Sequence, residues 1–352
     1  MNYIFNQEQS NDKQFVTNDL FKNLNKNLII TKEKIDEYPK LWEKVKKMIH
    51  EYEYVYTSSY YKKNITTIIP ISRSYFKIKE IIHDYDIQIK NKNIVCLAEA
   101  PGGFIQCILK TYENSKIHGI TLVSEDKKIP YWNKSLFNSK NIQFHTGVKG
   151  NGDLYDLTNI LSFIKSIGKN SCSFITGDGG IDYSNDYNHQ ELNSLKLIYG
   201  EIFMALNLQS NEGTFVCKIF DIFLKETISL LYILYLSYDE LIIHKPCMSR
   251  LSNSEKYIIC KGFKGYNQSL VNLMMHHFEK NDLTIEIPTS FIEEIYNFND
   301  LYISEQINHI QNGINIIKNK YITDKPSQKQ IKKSIQWCKK YKLPINQECF
   351  YL

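Results

Sequence analysis

The sequence lacks the segments that place a chain in or across a membrane. Even its apolar stretch Thr227 to Tyr238 is shorter than the ~20 residues that a membrane-spanning helix needs, and two acids follow it. The opening residues Met-Asn-Tyr-Ile-Phe-Asn-Gln-Glu-Gln contain neither the basic region nor the apolar stretch of a secretory signal. We therefore expect a soluble intracellular protein, cytoplasmic or carried in a virion if it is viral, and not a secreted one.

Metal-binding and disulfide patterns are also missing. The 8 cysteines lie far apart and none forms a Cys-x-x-Cys spacing, so neither a zinc site nor a disulfide framework is predicted. The 9 histidines include the adjacent pair His276-His277 but no His-x-x-x-His spacing. We expect no structural metal.

Charge gives a weaker indication. With 43 Lys and Arg against 38 Asp and Glu, the net charge is +5, which suits a polyanionic partner without requiring one. The 25 tyrosines and 18 phenylalanines could offer stacking surfaces for bases, or could simply follow from an AT-rich coding sequence. A composition of 43% hydrophobic and 23% charged residues is that of a globular protein.

Between Asn93 and Gly262, apolar strand-like runs alternate with longer helix-like segments, which predicts a parallel sheet covered on both faces. The predicted strands are Ile94 to Leu97, Lys116 to Leu122, Ile142 to His145, Ser173 to Thr176, Thr214 to Ile219, Leu241 to His244 and Tyr257 to Cys260. The predicted helices are Phe104 to Tyr112, Leu157 to Ile167, Gln190 to Leu208 and Ile222 to Tyr238. The last two strands leave no room for a crossover helix, so they should be antiparallel. The predicted class is α/β, a Rossmann-like sheet that is mostly parallel with an antiparallel last strand.

Helical extensions are predicted on both sides of this region. Residues 1–71 form a mainly helical extension, in which Tyr38 to Tyr56 reads as an amphipathic helix with Leu41, Val45 and Ile49 along one side. Residues 264–352 form a helical C-terminal region that packs on the core or binds a partner. Its predicted helices are Leu270 to Phe278, Phe291 to Ile295, Ile303 to Ile317 and Gln328 to Tyr341. The lysines of the last helix are either a solvated face or a nucleic-acid contact.

The stretch Asn93 to Phe104 joins an apolar run to a tight turn and then to a helix-like segment. Gly102 and Gly103 have no Cβ, so the backbone can approach an adenosine-type ligand closely, and Pro101 presets the turn. A nucleoside cofactor site is one interpretation of this turn. An ordinary connection between a strand and a helix is the other.

Four charged residues stand out by position: Lys77, Asp178, Lys218 and Glu255. Parallel α/β sheets bind ligands at the carboxyl edge of their strands, so Asp178 and Lys218 should converge near the glycine turn, with Glu255 brought alongside by the antiparallel strand. Taken singly, a charged residue at a strand end is more simply a solubilising group. Their occurrence as a set favours a catalytic site.

The ordered motifs around these residues resemble those of FtsJ-like ribose 2'-O-methyltransferases. The matching segments are Ser72 to Ile81, Glu99 to Phe104, Gly177 to Gly180, Gly213 to Lys218 and Lys245 to Glu255. Three further segments are most similar to the Adrift-type branch, which includes cap methyltransferases of eukaryotes and large DNA viruses: Gly119 to Leu122, Asp178 to Ser184 and Ile335 to Tyr341. The resemblance covers a domain of residues 72–263 together with the terminal helix.

The resemblance implies S-adenosylmethionine as methyl donor and an RNA ribose 2'-hydroxyl as acceptor. The expected substrate is the cap-proximal nucleotide of mRNA, with other capping or transcription proteins as possible partners. One alternative is methylation of rRNA or another structural RNA. An alternative of another class is a catalytically inactive RNA-binding or scaffold subunit.

The resemblance also assigns residues to the reaction. Lys77, Asp178, Lys218 and Glu255 would be the catalytic Lys-Asp-Lys-Glu tetrad, with Lys79 a competing choice for the first lysine. The two acids would orient the two ammonium groups, and Lys218 would polarise the 2'-hydroxyl or accept its proton.

Further residues are assigned to cofactor and RNA. The cofactor contacts implied by the resemblance are Glu99, Ala100, Pro101, Gly102, Gly103, Phe104, Thr121, Asp153 and Asp178. Asp153 would accept from the adenine amino group, or is only a turn residue. Arg73 and Arg250 are candidates for RNA phosphate contacts, with a surface ion pair as the rival interpretation of Arg73. Cys96 departs from the family, because many members have an acidic residue there.

Overall fold

The structure, a computed structural model, describes residues 1–6, 8–17, 19–91, 93–180 and 187–352. The chain divides into two compact units, each assembled from three segments. The first unit contains Met1–Lys22, Ile87–Lys245 and Glu255–Asn299. The second contains Asn23–Asp86, Pro246–Ser254 and Asp300–Leu352.

The first unit is built on a sheet to which eight described strands contribute, in the order β1-β8-β9-β7-β6-β3-β4-β5. These strands are β1 (Asn2–Ile4), β3 (Asn93–Leu97), β4 (Lys116–Ile120), β5 (Ile142–His145), β6 (Cys172–Gly177), β7 (Gln209–Ile219), β8 (Tyr238–His244) and β9 (Lys256–Phe263). The strand pairs β5–β4, β4–β3, β3–β6 and β6–β7 are parallel. Strand β9 lies between β7 and β8 and is antiparallel to both. The prediction of a mostly parallel sheet with an antiparallel last strand is confirmed.

The central strands are apolar along their length because both of their faces are covered. Every residue of β6 is buried, as are the last four residues of β3, which is the pattern of parallel strands between two helical layers. The strand predicted over Lys116 to Leu122 ends at Ile120, since the chain leaves the sheet there and the amide of Val123 donates to the Asn151 carbonyl at 2.7 Å. Strand β7 begins at Gln209 rather than at Thr214.

The helices of the first unit follow the strands in the predicted order. They are α4 (Gly103–Thr111), α5 (Leu157–Ile167), α6 (Gln190–Leu208), α7 (Lys225–Ser237) and α8 (Gln268–His277). The helix predicted from Ile222 begins at Lys225, because the amides of Phe223 and Leu224 donate to the buried Glu191 carboxylate rather than entering the helix. Helix α6 is buried over most of its length.

Two short ladders were not predicted. Strand β1 pairs antiparallel with β8, with Asn2 opposite His244 and Ile4 opposite Ile242. Strands β2 (Lys13–Gln14) and β10 (Ile287–Pro288) pair with each other. Segments of two or three residues are too short to display the alternation that identifies a strand in a sequence.

The second unit is mainly helical. It contains α2 (Pro39–Met48), α3 (Ser74–Asp84), α10 (Gln328–Lys340) and nearly all of α1 (Lys22–Asp36), together with 3-10 turns at Glu53–Val55 and Tyr61–Lys63. The amphipathic helix predicted over Tyr38 to Tyr56 was too long, since α2 ends at Met48. Its buried residues are Trp42 and Val45, and they pack with Ile310, Ile314 and Ile317, whereas Leu41 is exposed.

Helix α9 (Thr289–Lys318) is continuous where two separate helices were predicted. Its residues 289–299 belong to the first unit and residues 300–318 to the second. Among the described residues, no helix combines the length and the apolar character needed to cross a membrane.

The buried carboxylate of Glu80 joins three segments of the second unit. Oε1 accepts from the Cys247 amide at 2.6 Å, and Oε2 accepts from the Trp337 indole nitrogen at 3.1 Å. Helix α3 and helix α10 are therefore fixed to the same side chain. This contact accounts structurally for the tryptophan in the terminal motif Ile335 to Tyr341.

Candidate active site

Asp178 directly follows the buried strand β6 at its carboxyl end. Its amide donates to the Leu97 carbonyl at 3.2 Å, which fixes it beside the end of β3. Its Oδ1 accepts a hydrogen bond from the Tyr257 hydroxyl at 2.9 Å. The side chain is only 12% exposed, so these contacts hold it in one place.

Lys218 lies near the end of the neighbouring strand β7 and contacts Asp178 twice. Its Nζ donates to the Asp178 backbone carbonyl at 2.9 Å and lies 3.4 Å from Oδ1 of the carboxylate. The lysine side chain is also only 12% exposed. Two predicted site residues, 40 positions apart in the sequence, are therefore in direct contact.

Glu255 directly precedes the antiparallel strand β9. Lys218 is paired with Tyr257 across the β7–β9 ladder, and residues two apart on a strand share a face. Glu255 lies one residue before the first residue of β9, and its charge adds to the raising of the Tyr257 pKa, whereas its approach to Lys218 stays a prediction. The Lys245 ammonium donates to its backbone carbonyl at 2.7 Å.

Tyr257 is a site residue that the sequence did not reveal. Burial, and next the charges of Asp178 and Glu255, raise the pKa of its hydroxyl well above the usual value, so it serves as a hydrogen-bond donor. Its ring lies 6.0 Å from the Phe104 ring, between centroids, and so links the Asp178 carboxylate to the predicted cofactor turn. Its position two residues after Glu255, inside the predicted strand Tyr257 to Cys260, was the signal available.

Lys77 and Lys79 lie on α3 in the second unit, and both are half-buried. They flank Ile78, which is fully buried, so burial does not favour one lysine over the other. The approach of Lys77 to Asp178, Lys218 and Glu255 stays a prediction, as does the choice between Lys77 and Lys79.

The predicted cofactor turn follows β3. Gly102 has φ +109°, and a Cβ at this position would lie 2.3 Å from Leu136 Cδ1, so the turn requires glycine for both conformation and space. The Gly102 amide donates to the Glu99 carbonyl at 2.8 Å, and α4 begins at Gly103. Ala100, Pro101 and Phe104 lie on this same strand–turn–helix connection.

Glu99 is 3% exposed at the start of the turn. Its Oε1 accepts from the Thr176 hydroxyl, whereas Oε2 has no hydrogen-bond partner among the described residues. Burial raises the pKa of this carboxyl well above its usual value, and the charge of Asp178 adds to the effect. A buried oxygen without a partner is one that a polar group of a ligand would satisfy, by accepting from the protonated carboxyl or donating to the ionised one, so the turn fits the predicted cofactor.

The second predicted part of the cofactor site is also assembled by a close backbone approach. Gly152 has φ +62°, and a Cβ there would lie 1.9 Å from the carbonyl oxygen of Thr121. This brings the loop that carries Asp153 against the segment after β4. Oδ1 of Asp153 accepts from the Tyr155 amide at 2.8 Å, which supports its role as a turn residue. Its contact with adenine stays a prediction.

The two arginines predicted to contact RNA share one buried acid in the second unit. Arg250 Nη2 lies 3.0 and 3.2 Å from the two Glu53 oxygens, and Arg73 Nη1 lies 3.7 Å from Glu53 Oε1. Arg73 also donates to the Tyr56 carbonyl. The ion pair weighed as the rival interpretation of Arg73 is therefore present, and phosphate binding stays a prediction for both arginines.

Part of the motif Asp178 to Ser184 lies outside the described residues, namely residues 181–184. Among the residues that the structure does describe, no three His, Cys, Asp or Glu side chains gather in a way that could hold a metal ion. Cys96 is fully buried, and burial together with the nearby Glu99 carboxyl raises the pKa of its thiol well above the usual value.

A mostly parallel sheet with a glycine turn after one strand and a lysine–aspartate pair after two others has the arrangement of an α/β enzyme that binds its ligand at the carboxyl edge. The family model described as FtsJ-like methyltransferase matches residues 70–263. The chain belongs to this family, and the resemblance inferred from its motifs is confirmed.

Individual relatives are similar over part of their length. The mouse cap-specific mRNA (nucleoside-2'-O-)-methyltransferase 1 is 29% identical over 240 residues, covering 64% of this chain and 28% of the mouse protein. The inactive cap-specific mRNA (nucleoside-2'-O-)-methyltransferase 1B of Caenorhabditis briggsae is 28% identical over 253 residues, covering 64% of this chain and 29% of that protein. The match thus spans under a third of either relative.

Among solved structures, a ribosomal RNA methyltransferase from Plasmodium falciparum is similar to this chain. It is 21% identical, and the alignment covers 55% of this chain and 99% of that one with a TM-score of 0.41.

Proposed function

We propose that this chain transfers a methyl group from S-adenosylmethionine to the 2'-hydroxyl of an RNA ribose, at the nucleotide beside the mRNA cap. The observation that carries the proposal is the Lys218–Asp178 pair, with 3.4 Å between Nζ and Oδ1, at the carboxyl edge of a methyltransferase sheet. Family membership supports the methyl transfer. The name of the mouse relative supports capped mRNA as the substrate.

The proposed roles follow from what the reaction demands. S-adenosylmethionine supplies a methyl group on a positively charged sulfur. A ribose hydroxyl is a weak nucleophile while it keeps its proton, and displacement at carbon requires the attacking oxygen to be in line, so positioning is a large part of catalysis. Lys218 polarises this hydroxyl as an ammonium, or accepts its proton as a neutral amine. Asp178, held by Tyr257, orients the Lys218 ammonium, and Lys77 and Glu255 complete the set.

The cofactor would lie against the segment Glu99 to Phe104, with Thr121, Asp153 and Asp178 as further contacts. The unsatisfied Oε2 of Glu99 supports this placement, because a bound polar group that hydrogen-bonds to it would remove the cost of a buried oxygen without a partner. Gly102, at φ +109°, gives the turn the backbone conformation from which α4 begins at Gly103.

The remaining regions are assigned to RNA and partners. Residues 72–263 would form the methyltransferase domain, residues 1–71 a mainly helical extension, and residues 264–352 a C-terminal region that packs on the core or binds RNA or another capping or transcription protein. Arg73 and Arg250 would contact RNA phosphates, because guanidinium groups suit phosphate oxygens.

Methyl incorporation from labelled S-adenosylmethionine into matched capped and uncapped transcripts tests the proposal. We expect label in the capped RNA and much less in the uncapped one. Equal labelling of both would transfer the proposal to a structural RNA. Cofactor binding without turnover on either RNA would instead favour an inactive scaffold, the state that the name of the nematode relative describes.

A further inference from the structure

A second buried acid lies next to the proposed catalytic pair. Helix α6 carries Glu201, which is completely buried. Its Oε1 accepts from the amide of Gly179, the residue after Asp178, at 3.2 Å. Its Oε2 accepts from the thiol of Cys217, the residue before Lys218, at 3.3 Å. The Glu201 carboxyl group therefore accepts hydrogen bonds from the residue next to Asp178 and from the residue next to Lys218.

The glycines of this loop leave space for that carboxyl group. A Cβ added at Gly177 would lie 2.8 Å from Glu201 Cδ, and one added at Gly179 would lie 2.6 Å from Oε1. A Cβ at Gly180 would lie 2.9 Å from Lys218 Nζ. The loop of residues 177–180 is thus enclosed between the Glu201 carboxyl group and the Lys218 ammonium, without room for a side chain at these glycines.

We infer that Glu201 is a positioning residue of the proposed methyl transfer, which holds the loop of residues 177–180 so that Asp178 stays against Lys218. This inference rests on the proposed function. Glu201 contacts neither of the two reacting side chains by a hydrogen bond, and it acts through the Gly179 amide and the Cys217 thiol.

The protonation state of Glu201 should make its role visible in the pH dependence of kcat. Burial raises the pKa of Glu201 to about 8, while the Cys217 thiol and the charge of Lys218 work in the opposite direction. The charged and titratable groups facing it are Cys217 and Lys218 from β7, Asp178 from the loop and Glu99 from the cofactor turn. Above pH 8 an ionised Glu201 adds a negative charge that favours the protonated form of Lys218, and so opposes its service as a base.

The matched control is Glu191, on the same helix. It is also buried, burial raises its pKa to about 8, and its carboxylate accepts from the amides of Phe223 and Leu224 rather than from the loop. Substitutions at Glu191 therefore remove a comparable buried acid from α6 without removing a contact to Gly179 or Cys217.

The experiment compares Glu201→Leu, Glu201→Gln, Glu191→Leu and Glu191→Gln in the full chain, on capped RNA. We expect Glu201→Leu to lower kcat about 100-fold with little change in KM for the cofactor, because small misplacement of a catalytic group has effects of that size. Glu201→Gln, which can still accept from Gly179, should recover most of the loss. It should also lose an inflection of kcat near pH 8 that wild type and Glu191→Gln retain.

Amide hydrogen exchange of residues 177–180 provides a measurement that needs no turnover. We expect faster exchange there in Glu201→Leu than in Glu191→Leu. Unchanged exchange and unchanged kcat in a folded Glu201→Leu variant would overturn the inference. If Glu201→Leu does not fold, the test is the pH dependence of kcat in Glu201→Gln. An inflection near pH 8 that is the same as in wild type would overturn the inference. The wild-type protein could methylate no RNA while residues 177–180 still exchange faster in Glu201→Leu than in Glu191→Leu. That result would refute the proposed function and leave the role of Glu201 in holding the loop intact.

Discussion

At the scale of single residues, the account depends first on Lys218. Replacing it with alanine removes the ammonium that contacts Asp178 and should abolish methylation, while the cofactor turn after β3 is left intact and cofactor affinity stays close to that of wild type. Labelled methyl transfer and calorimetric binding of S-adenosylmethionine measure the two effects separately. Lys261→Ala, on β9 in a surface pair with Glu240, is the control. If Lys218→Ala methylates RNA at the wild-type rate, the proposed catalytic role of Lys218 is wrong.

Tyr257 provides a finer test of how Asp178 is oriented. Tyr257→Phe keeps the ring beside Phe104 and removes only the hydroxyl that donates to Asp178 at 2.9 Å. A hydrogen bond to a charged group contributes about 1.5–3 kcal/mol, so kcat should fall roughly 10- to 100-fold, and the thermal unfolding midpoint should fall by only a few degrees. If kcat is unchanged, the hydroxyl does not hold Asp178 in its working position.

The site shows which features a sequence can predict. Asp178 and Lys218 were placed together because the ends of neighbouring parallel strands meet at one edge. The role of Tyr257 could not be inferred in the same way, because it depends on the register of β9 between β7 and β8, and the number of residues between strands does not determine register. Glu201 was missed because one acid among the apolar residues in the second half of α6 gives no pattern.

At the scale of elements, the turn between β3 and α4 is the connection least tolerant of change. Gly102→Ala would place a Cβ against Leu136 and force an L-residue into a left-handed conformation, which costs roughly 1–2 kcal/mol before any clash. We expect at least tenfold weaker binding of S-adenosylmethionine, measured by calorimetry. Gly168→Ala, also at positive φ but at the end of α5 and with no atom within 4 Å of the added Cβ, separates conformational strain from an effect on the cofactor turn. If Gly102→Ala and the control variant both bind S-adenosylmethionine as tightly as the wild type does, the cofactor does not bind at this turn.

The elements that sequence reasoning placed well are those with long apolar runs, such as β3 and β6, and the helices between them. Its errors have local causes. Helix α2 ends at Met48 although polar and apolar residues continue to alternate, and α9 runs through the segment where two helices were predicted. Tertiary packing decides such boundaries, because the helical propensity of these residues differs by only tenths of a kcal/mol each.

At the scale of the whole molecule, buried acids predict how stability depends on pH. Burial raises the pKa of both Glu191 and Glu201 to about 8 from a usual value of 4.5, so the folded protein keeps these protons after the unfolded chain has lost them. The unfolded state then binds fewer protons, and stability falls as pH rises from 4.5 to 8. His118, whose pKa is lowered to about 4 by burial, acts oppositely but only below pH 6.5.

The window from pH 6.5 to 8 therefore reports on the buried glutamates Glu191, Glu201 and Glu99, whose carboxyl pKa values are all raised by burial. We expect the free energy of unfolding to fall across it by at most about 2 kcal/mol for each carboxyl group. Urea unfolding at both pH values measures the fall, and the double variant Glu191→Gln, Glu201→Gln should reduce it, with Glu99 accounting for what remains. A wild-type stability that rises from pH 6.5 to 8 would show that these acids are already ionised in the folded protein.

The most direct test of the account identifies the methylated atom. A capped transcript is treated with the protein and S-adenosylmethionine, digested to nucleosides and short cap-containing fragments, and analysed by mass spectrometry. The account predicts one added methyl group on the ribose 2'-oxygen of the nucleotide beside the cap, and none with Lys218→Ala. Methylation of a base, or no ribose methylation in any RNA supplied, would contradict it.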